Sequence, residues 1–302
     1  MRSELQLIDR IRSLASNIHG RGLAIGIGDD CAVYHSPGAS EDLLFTTDLL
    51  VEDIHFRRET HRPEDIGWKA LARGLSDIAA MGGEPRFCLV SLALAPWSDA
   101  RWLDCFYRGL LKLAAREKTP LAGGDLGKSA KATCDIVVCG SVPRGKALRR
   151  DGAKAGDGIY ISGELGSSAL GFESQRGKAR QKHLRPEPRI ALGKHLRRLG
   201  ATAAMDLSDG LSLDLHRLAT ASRLSAEIAP PPIFRGATPE QALHGGEDYE
   251  LLFTAPARRV IPEHLEGLRL TRIGTMRKGS AGEVRINGAI LRPLGYDHFR
   301  KP

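Results

Sequence analysis

The chain has 302 residues, 42% of them hydrophobic and 26% charged, which excludes a disordered protein and gives room for two domains of ordinary size or one large one. The formal charge is +8, but aromatics make up only 5% and no nucleic-acid module is recognisable, so the excess reads as a basic surface that attracts anionic metabolites, with no nucleic-acid partner. The longest apolar stretch, 87–97, is broken by Ser91 and Pro96 and is too short to span a membrane, no apolar signal core is visible at the start, and five cysteines without C-x-x-C spacing fit a reducing cytoplasm better than disulfides or zinc.

In chain order, Leu43–Asp48 is a predicted strand that ends in Thr46, Thr47 and Asp48. Pro63–Met81 is a predicted helix: Pro63 suits the first turn, Glu64 and Asp65 complement the positive helix start, and Gly82-Gly83 stops it. Phe87–Ala95 is a strand, and Asp99–Arg116 an amphipathic helix carrying Trp102, Phe106, Leu110 and Leu113. Thr133–Val142 is a further strand. The turn-rich stretch 143–158 then separates the halves, placing one domain at 1–143 and a second at 144–302. The second half begins with a strand, Ile159–Ser162, a helix from Ser167, a basic segment, and a helix from Pro188 to Leu199. A strand at Ala203–Leu207, a helix at Leu211–Ser222, a loop at Pro230–Pro232 and a strand at Tyr249–Thr254 follow. Asn287-Gly288 between apolar residues signals a hairpin. The whole reads as an α/β or α+β fold in two halves.

The carboxylates carry the functional signal. Six short segments place them beside Gly, Ser or Thr near the ends of predicted elements. They are GIGDD (Asp29, Asp30), TTD (Asp48), LSD (Asp77), GGD (Asp125), DLSDG (Asp206, Asp209) and GGED (Glu247, Asp248). Any one of them is ordinary turn chemistry; as a series they suit magnesium, which prefers hard oxygen ligands. Asp77 is the sharpest case. It lies near the C-terminus of a helix that is apolar on most faces, where the dipole disfavours an anion and burial without a cation is costly. Two carboxylates about 4 Å apart repel by about 4 kcal/mol at an effective dielectric of 20. A convergent set beside a triphosphate therefore needs divalent ions.

Other chemistries match less well. The segment AGGDLGKS at 122–129 nearly fits the phosphate-loop pattern, but Ala122 stands where a glycine is needed and a strand follows where a helix should. Gly26 and Gly28 begin a dinucleotide fingerprint that fails at Cys31. There is no G-x-S-x-G and no H-E-x-x-H among ten histidines; His55, just past the Asp48 segment, is the histidine of interest.

Taken together, GIGDDCAV at 26–33, TTDLLVEDIHF at 46–56, KALARGLSDIAAMGGEP at 69–85, AGGD at 122–125, RDGAKAGD at 150–157, DLSDGL at 206–211, GGEDYELLF at 245–253 and GYDHF at 295–299 resemble the thiamine-monophosphate kinase family. Its superfamily includes aminoimidazole ribonucleotide synthetase and selenophosphate synthetase. The resemblance spans nearly the whole chain. It implies transfer of a phosphoryl group from ATP to thiamine monophosphate with Mg2+, directly and without a phosphoenzyme. It implies metal-site roles for Asp30, Thr46, Thr47, Asp48, Asp77, Asp125, Asp206 and Asp209, with Asp30, Asp48, Asp77, Asp125 and Asp209 closest to the chemistry. It implies nucleotide-site roles for Tyr107, Gly124, Asp125, Arg150 and Ser208, and substrate-site roles for His55 and Glu247. It also implies a homodimer formed through the N-terminal sheet, with the C-terminal α/β domain covering the cleft. Taken by themselves, Tyr107 is also a core or rim aromatic, Arg150 a surface arginine, and Glu247-Asp248 the start of a strand.

Two positions depart from the family pattern. Leu126 replaces a threonine after GGD, where Lys128 can compensate. Pro293 stands at a substrate-site position where an aromatic is usual. Two other classes remain open: an ATP-dependent synthetase of the same superfamily, and a basic binding protein without turnover. A selenophosphate synthetase would carry a reactive Cys in a glycine-rich N-terminal loop, which is not seen.

Overall fold

The computed structural model describes residues 3–15 and 20–299. The first half holds α1 (Glu4–Ala15), β1 (Leu23–Ile25), β2 (Ala32–His35), β3 (Glu41–Val51), α2 (Pro63–Ala80), β4 (Glu84–Leu94), α3 (Ala100–Arg116), β5 (Leu121–Lys128) and β6 (Thr133–Pro143). The second holds β7 (Gly158–Ser162), α4 (Ser167–Ser174), α5 (Gly177–Leu184), α6 (Ile190–Leu199), β8 (Ala203–Asp206), α7 (Leu211–Ala221), β9 (Ser225–Ile228), α8 (Pro239–His244) and β10 (Leu251–Ala255), followed by β11 (His264–Leu265), β12 (Leu268–Arg277), β13 (Val284–Ile286) and β14 (Ala289–Ile290).

Each half builds one sheet. The first runs β1-β2-β3-β6-β4-β5; the second runs β14-β13-β9-β12-β7-β10-β8, with β11 paired to β12. Strands β4 and β5 are parallel and joined through α3, as a parallel pair requires. Asn287 and Gly288 both take positive φ and close the expected two-residue hairpin between β13 and β14.

Helix α2 organises the molecule. Its Leu71, Leu75 and Ile78 are fully buried in one cluster with Leu44, Leu50, Ile136 and Val138 of the first sheet. Its other side meets the second half: Trp68 Nε1 donates to the Pro186 carbonyl at 2.9 Å. Gly193 of α6 lies so close that a Cβ there would stand 2.0 Å from the Ala79 carbonyl oxygen. Helices α2 and α3 cover one face of the first sheet. The other face presents Phe45 and Leu49, exposed, beside half-buried Leu89 and Val137.

Some local expectations are revised. Strand β3 does not stop at the TTD segment but runs on through Val51, because Leu50 supplies one more inward apolar residue. The GGD segment is neither a loop nor an element end; it lies inside edge strand β5. Tyr249 lies outside β10, with φ 50°. Strand β12, ten residues long, was not expected, since its Arg269, Arg272 and Arg277 mask the alternation.

Candidate active site

Three elements bring distant carboxylates together. Asp30 follows the β1 turn, Asp77 sits in the last turn of α2, and Asp206 ends β8. One ligand oxygen from each lies within 4.8 Å of the others. Strand β3 faces the same place with Thr46 and Asp48. Thr46 Oγ1 donates to Asp77 and Ser76 Oγ donates to Asp206 at 2.7 Å.

The electrostatics are those of an anionic cluster. Burial, then the charges of Asp48, Asp206 and Asp30, pushes the Asp77 carboxyl well above its usual range. Burial and Asp30 do the same to Asp206, and burial with Asp30 raises Asp29 to about 7. Asp30 thus raises both Asp77 and Asp206, so the set favours either protons or a cation. Asp30 Oδ2 is buried without a hydrogen-bond partner. Hard oxygens with an unused acceptor among them fit a magnesium ion.

Three arginines surround the cluster. Arg150 Nη2 donates to Asp30 at 2.5 Å, and its backbone N–H donates to Asp29 at 3.2 Å. Arg73 Nη2 donates to Asp48 at 2.8 Å. Arg217 binds Asp209 and also Asp214 at 3.2 Å. The Asp214 carboxylate in turn accepts the Asp209 and Gly210 N–H groups, both at 3.0 Å. That turn needs glycine: Gly210 has φ 109°, and a Cβ would meet His244 main chain at 2.8 Å.

Two cavities meet at the cluster and share Ser208 and Asp209 in their walls. The larger, about 860 Å³, takes in the Gly26–Asp30 loop, Thr46, Thr47, Arg150, Arg217 and one side of α1. The smaller, about 370 Å³, reaches from Asp48, Asp77 and Asp206 towards His55, Glu247 and Tyr296.

The far end of the smaller cavity is ordered by a buried lysine. Lys69, with no exposed surface, donates from Nζ to Glu247 at 2.8 Å and to the His55 carbonyl at 3.5 Å. Burial works to raise the Glu247 pKa, but Lys69, helped by His183 and Arg73, overcomes it and draws the value down to about 2. Val51 N–H donates to His55 Nδ1 at 3.0 Å, which leaves the ring proton on Nε2. Burial, then Arg73, pulls His55 down to about 3, so the imidazole is neutral near pH 7.

Other expected site residues point or lie away from the acid cluster in this chain. The Thr47 side chain points to the open face of the first sheet, where Oγ1 donates to Asp135 at 2.6 Å. Gly124 and Asp125 are exposed on β5; Gly124 pairs with Val90, which pairs with Ile136 and so with Asp48. Three strand spacings, about 14 Å, therefore separate them from Asp48. Tyr107 packs edge-on against Phe106, with ring centroids 5.3 Å apart. Tyr107, Gly124, Asp125 and Pro293 line neither cavity. Tyr296 and His298 do line the smaller one, ring centroids 4.8 Å apart, with His298 5.1 Å from His55. Sequence reasoning did not single out Lys69, Arg73, Arg217 or Tyr296. The spacing of Lys69, Arg73 and Asp77, four residues apart on one helical stripe, was the signal for the first two.

Residues 28–142 match the model of the AIR synthase related protein, N-terminal domain, and residues 154–287 match that of the C-terminal domain. Thiamine-monophosphate kinase of Bacillus subtilis is 35% identical, with 97% of this chain and 99% of the relative covered. The enzyme of Escherichia coli strain K12 is 38% identical, with 97% and 96% covered. A solved structure of AaThiL complexed with AMPPCP and TMP superposes with TM-score 0.87 at 35% identity, covering 99% of each chain. The chain belongs to the thiamine-monophosphate kinase family.

Proposed function

We propose that this chain uses ATP to phosphorylate thiamine monophosphate, giving ADP and thiamine diphosphate. The carrying observation is the carboxylate cluster of Asp30, Asp77 and Asp206 at the junction of two cavities, which provides one compartment for each substrate with the acids where their phosphates meet. The solved relative that holds an ATP analogue together with TMP supports this reading.

In this reading the larger cavity takes the nucleotide, with Arg150 and Ser208 beside the phosphates. The smaller takes thiamine monophosphate, its organic end against His55, Glu247 and Tyr296. Tyr296 supplies an aromatic wall, so the absence of a ring at Pro293 is compensated from three residues away. Asp30, Asp77 and Asp206 hold magnesium, with Asp48 and Asp209 at the margin. A metal held by these residues would supply the positive charge that offsets repulsion between the two substrates' phosphate oxygens. A substrate phosphate oxygen forms the new bond to the γ-phosphorus as the bond to the ADP oxygen breaks. The acceptor is already ionised near neutral pH, so no general base is required, and the neutral His55 positions substrate without taking a proton.

A homodimer completes the site. Asp125, Gly124 and Tyr107 do not reach the cluster within one chain, and the open face of the first sheet carries Phe45 and Leu49 uncovered. Pairing two such faces buries them and brings Gly124 and Asp125 of the edge strand towards the partner's cluster. The domain boundary falls at 143/144. Five unpaired cysteines suit a reducing cytoplasm, and no helix among the described residues is long and apolar enough to cross a membrane.

The test is purified protein with ATP, Mg2+ and thiamine monophosphate, followed by chromatographic detection of thiamine diphosphate. Stoichiometric ADP and thiamine diphosphate are expected. ATP turnover without thiamine diphosphate, or no turnover across a range of salt and metal, removes the proposal.

A further inference from the structure

We infer that Arg73 binds the acceptor phosphate of the organic substrate, an assignment that rests on the functional reading above. Lys69, Arg73 and Asp77 occupy one stripe of α2, each four residues or about 6 Å from the next. Lys69 holds Glu247 at the organic end of the smaller cavity, at 2.8 Å. Asp77 belongs to the acid cluster at the other end. Arg73 lies midway. A phosphate monoester whose organic part reaches Glu247 and whose phosphate meets the cluster must pass that point.

The charge distribution gives the same answer. The described residues lining this cavity include Glu4, Asp48, Asp77, Asp206, Asp209 and Glu247, and a single arginine or lysine, Arg73. His55 and His183 are held neutral, burial drawing each to about 3. Apart from a metal at the cluster, a phosphate dianion entering among those carboxylates meets one arginine or lysine side chain among the described lining residues.

The guanidinium also has unused capacity. Nη2 is engaged with Asp48 at 2.8 Å, while Nε and Nη1 are buried without a hydrogen-bond partner. Buried donors left unmatched call for an explanation, and a planar fork suits two oxygens of one phosphate. The side chain is 14% exposed, so it borders the cavity without being free in solvent. Arg73 thus neutralises Asp48 and carries the one guanidinium fork among the described residues of this wall.

Calorimetric titration of the full-length protein with thiamine monophosphate and with unphosphorylated thiamine, in Mg2+, tests this. Arg73→Met is expected to weaken thiamine monophosphate binding about 10–100-fold while thiamine binding changes less than about twofold. Arg73→Lys, which keeps charge and loses the fork, is expected to lose several-fold for thiamine monophosphate alone and remains informative if the methionine variant does not fold. In steady-state assays KM for thiamine monophosphate rises and KM for ATP does not. Equal loss for both ligands, or no loss for either, overturns the inference while leaving the kinase reading intact. Wild-type protein that binds neither ligand removes both.

Discussion

Replacing Asp77 with Asn separates the chemical role of the cluster from its structural one. Three carboxylates with oxygens within 4.8 Å repel by about 3.5 kcal/mol per fully ionised pair at an effective dielectric of 20. The substitution removes two of the three pairs, about 7 kcal/mol if all three were fully ionised at that separation. Protonation and the flanking arginines relieve most of this, so the net gain in the folded protein near pH 7 is about 1–2 kcal/mol, or about 2–4 °C in Tm. The sign follows from linkage. The folded pKa of Asp77 is raised above its unfolded value, so the folded state holds more protons and stability falls as pH rises from about 4 towards the folded pKa. The asparagine variant lacks that loss. In buffer containing EDTA it is therefore more stable than wild type at pH 7–8, and the advantage vanishes below about pH 4. Millimolar Mg2+ reverses the order by stabilising wild type through binding to the native state alone. Thiamine diphosphate formation falls by about 10²–10³-fold or more in the variant. Scanning calorimetry with and without Mg2+, alongside the turnover assay, checks all of these. Wild-type turnover, or equal Mg2+ stabilisation of both proteins, refutes the reasoning.

Lys69→Met leaves half-buried Glu247 with His183 at 3.5 Å as its remaining neighbour, and is expected to destabilise the fold by about 1–3 kcal/mol in urea unfolding. Combining it with Glu247→Gln recovers much of that loss. His183 is held down at about 3 by burial and then by Lys69. Its contribution is present above the unfolded value near 6.5 and shrinks as pH falls, by about 2 kcal/mol between pH 6.5 and pH 5. His183→Gln accordingly flattens the acid limb of a Tm-against-pH curve. Tyr296→Ala raises KM for thiamine monophosphate about tenfold, with little change in KM for ATP. Leu49→Arg on the open face of the first sheet gives monomers by light scattering and depresses turnover.

The fold was readable where a single signal dominated. Pro63, the early acids and Gly82-Gly83 bound α2 correctly, and Asn287-Gly288 marks its hairpin. It was less readable where glycine or charge dilutes the pattern. Strand β5 contains three glycines and is exposed almost throughout, so edge pairing with β4 makes it a strand in the absence of side-chain burial. Asp125 illustrates this: a glycine-flanked acid looks like a turn residue, but it lies within a strand whose register places it across the sheet from Asp48 of the same chain. The acids of the cluster stood out because a buried anion on an apolar helix is anomalous. Lys69 and Arg73 did not, since a cation on a helix reads as solvated until the neighbouring α5 and the segment around Glu247 are known. Tyr296 lay in plain view within GYDHF, and only the return of the C-terminal segment to the cavity reveals its use.

The central claim is that Asp30, Asp77 and Asp206 hold a divalent cation between the two cavities. A crystal grown with Mn2+ and a non-hydrolysable ATP analogue, measured at the manganese edge, tests it directly. The account predicts an anomalous peak within about 2.3 Å of oxygens from at least two of those three carboxylates. Nucleotide bound with no such peak, or with manganese held by other residues, contradicts it.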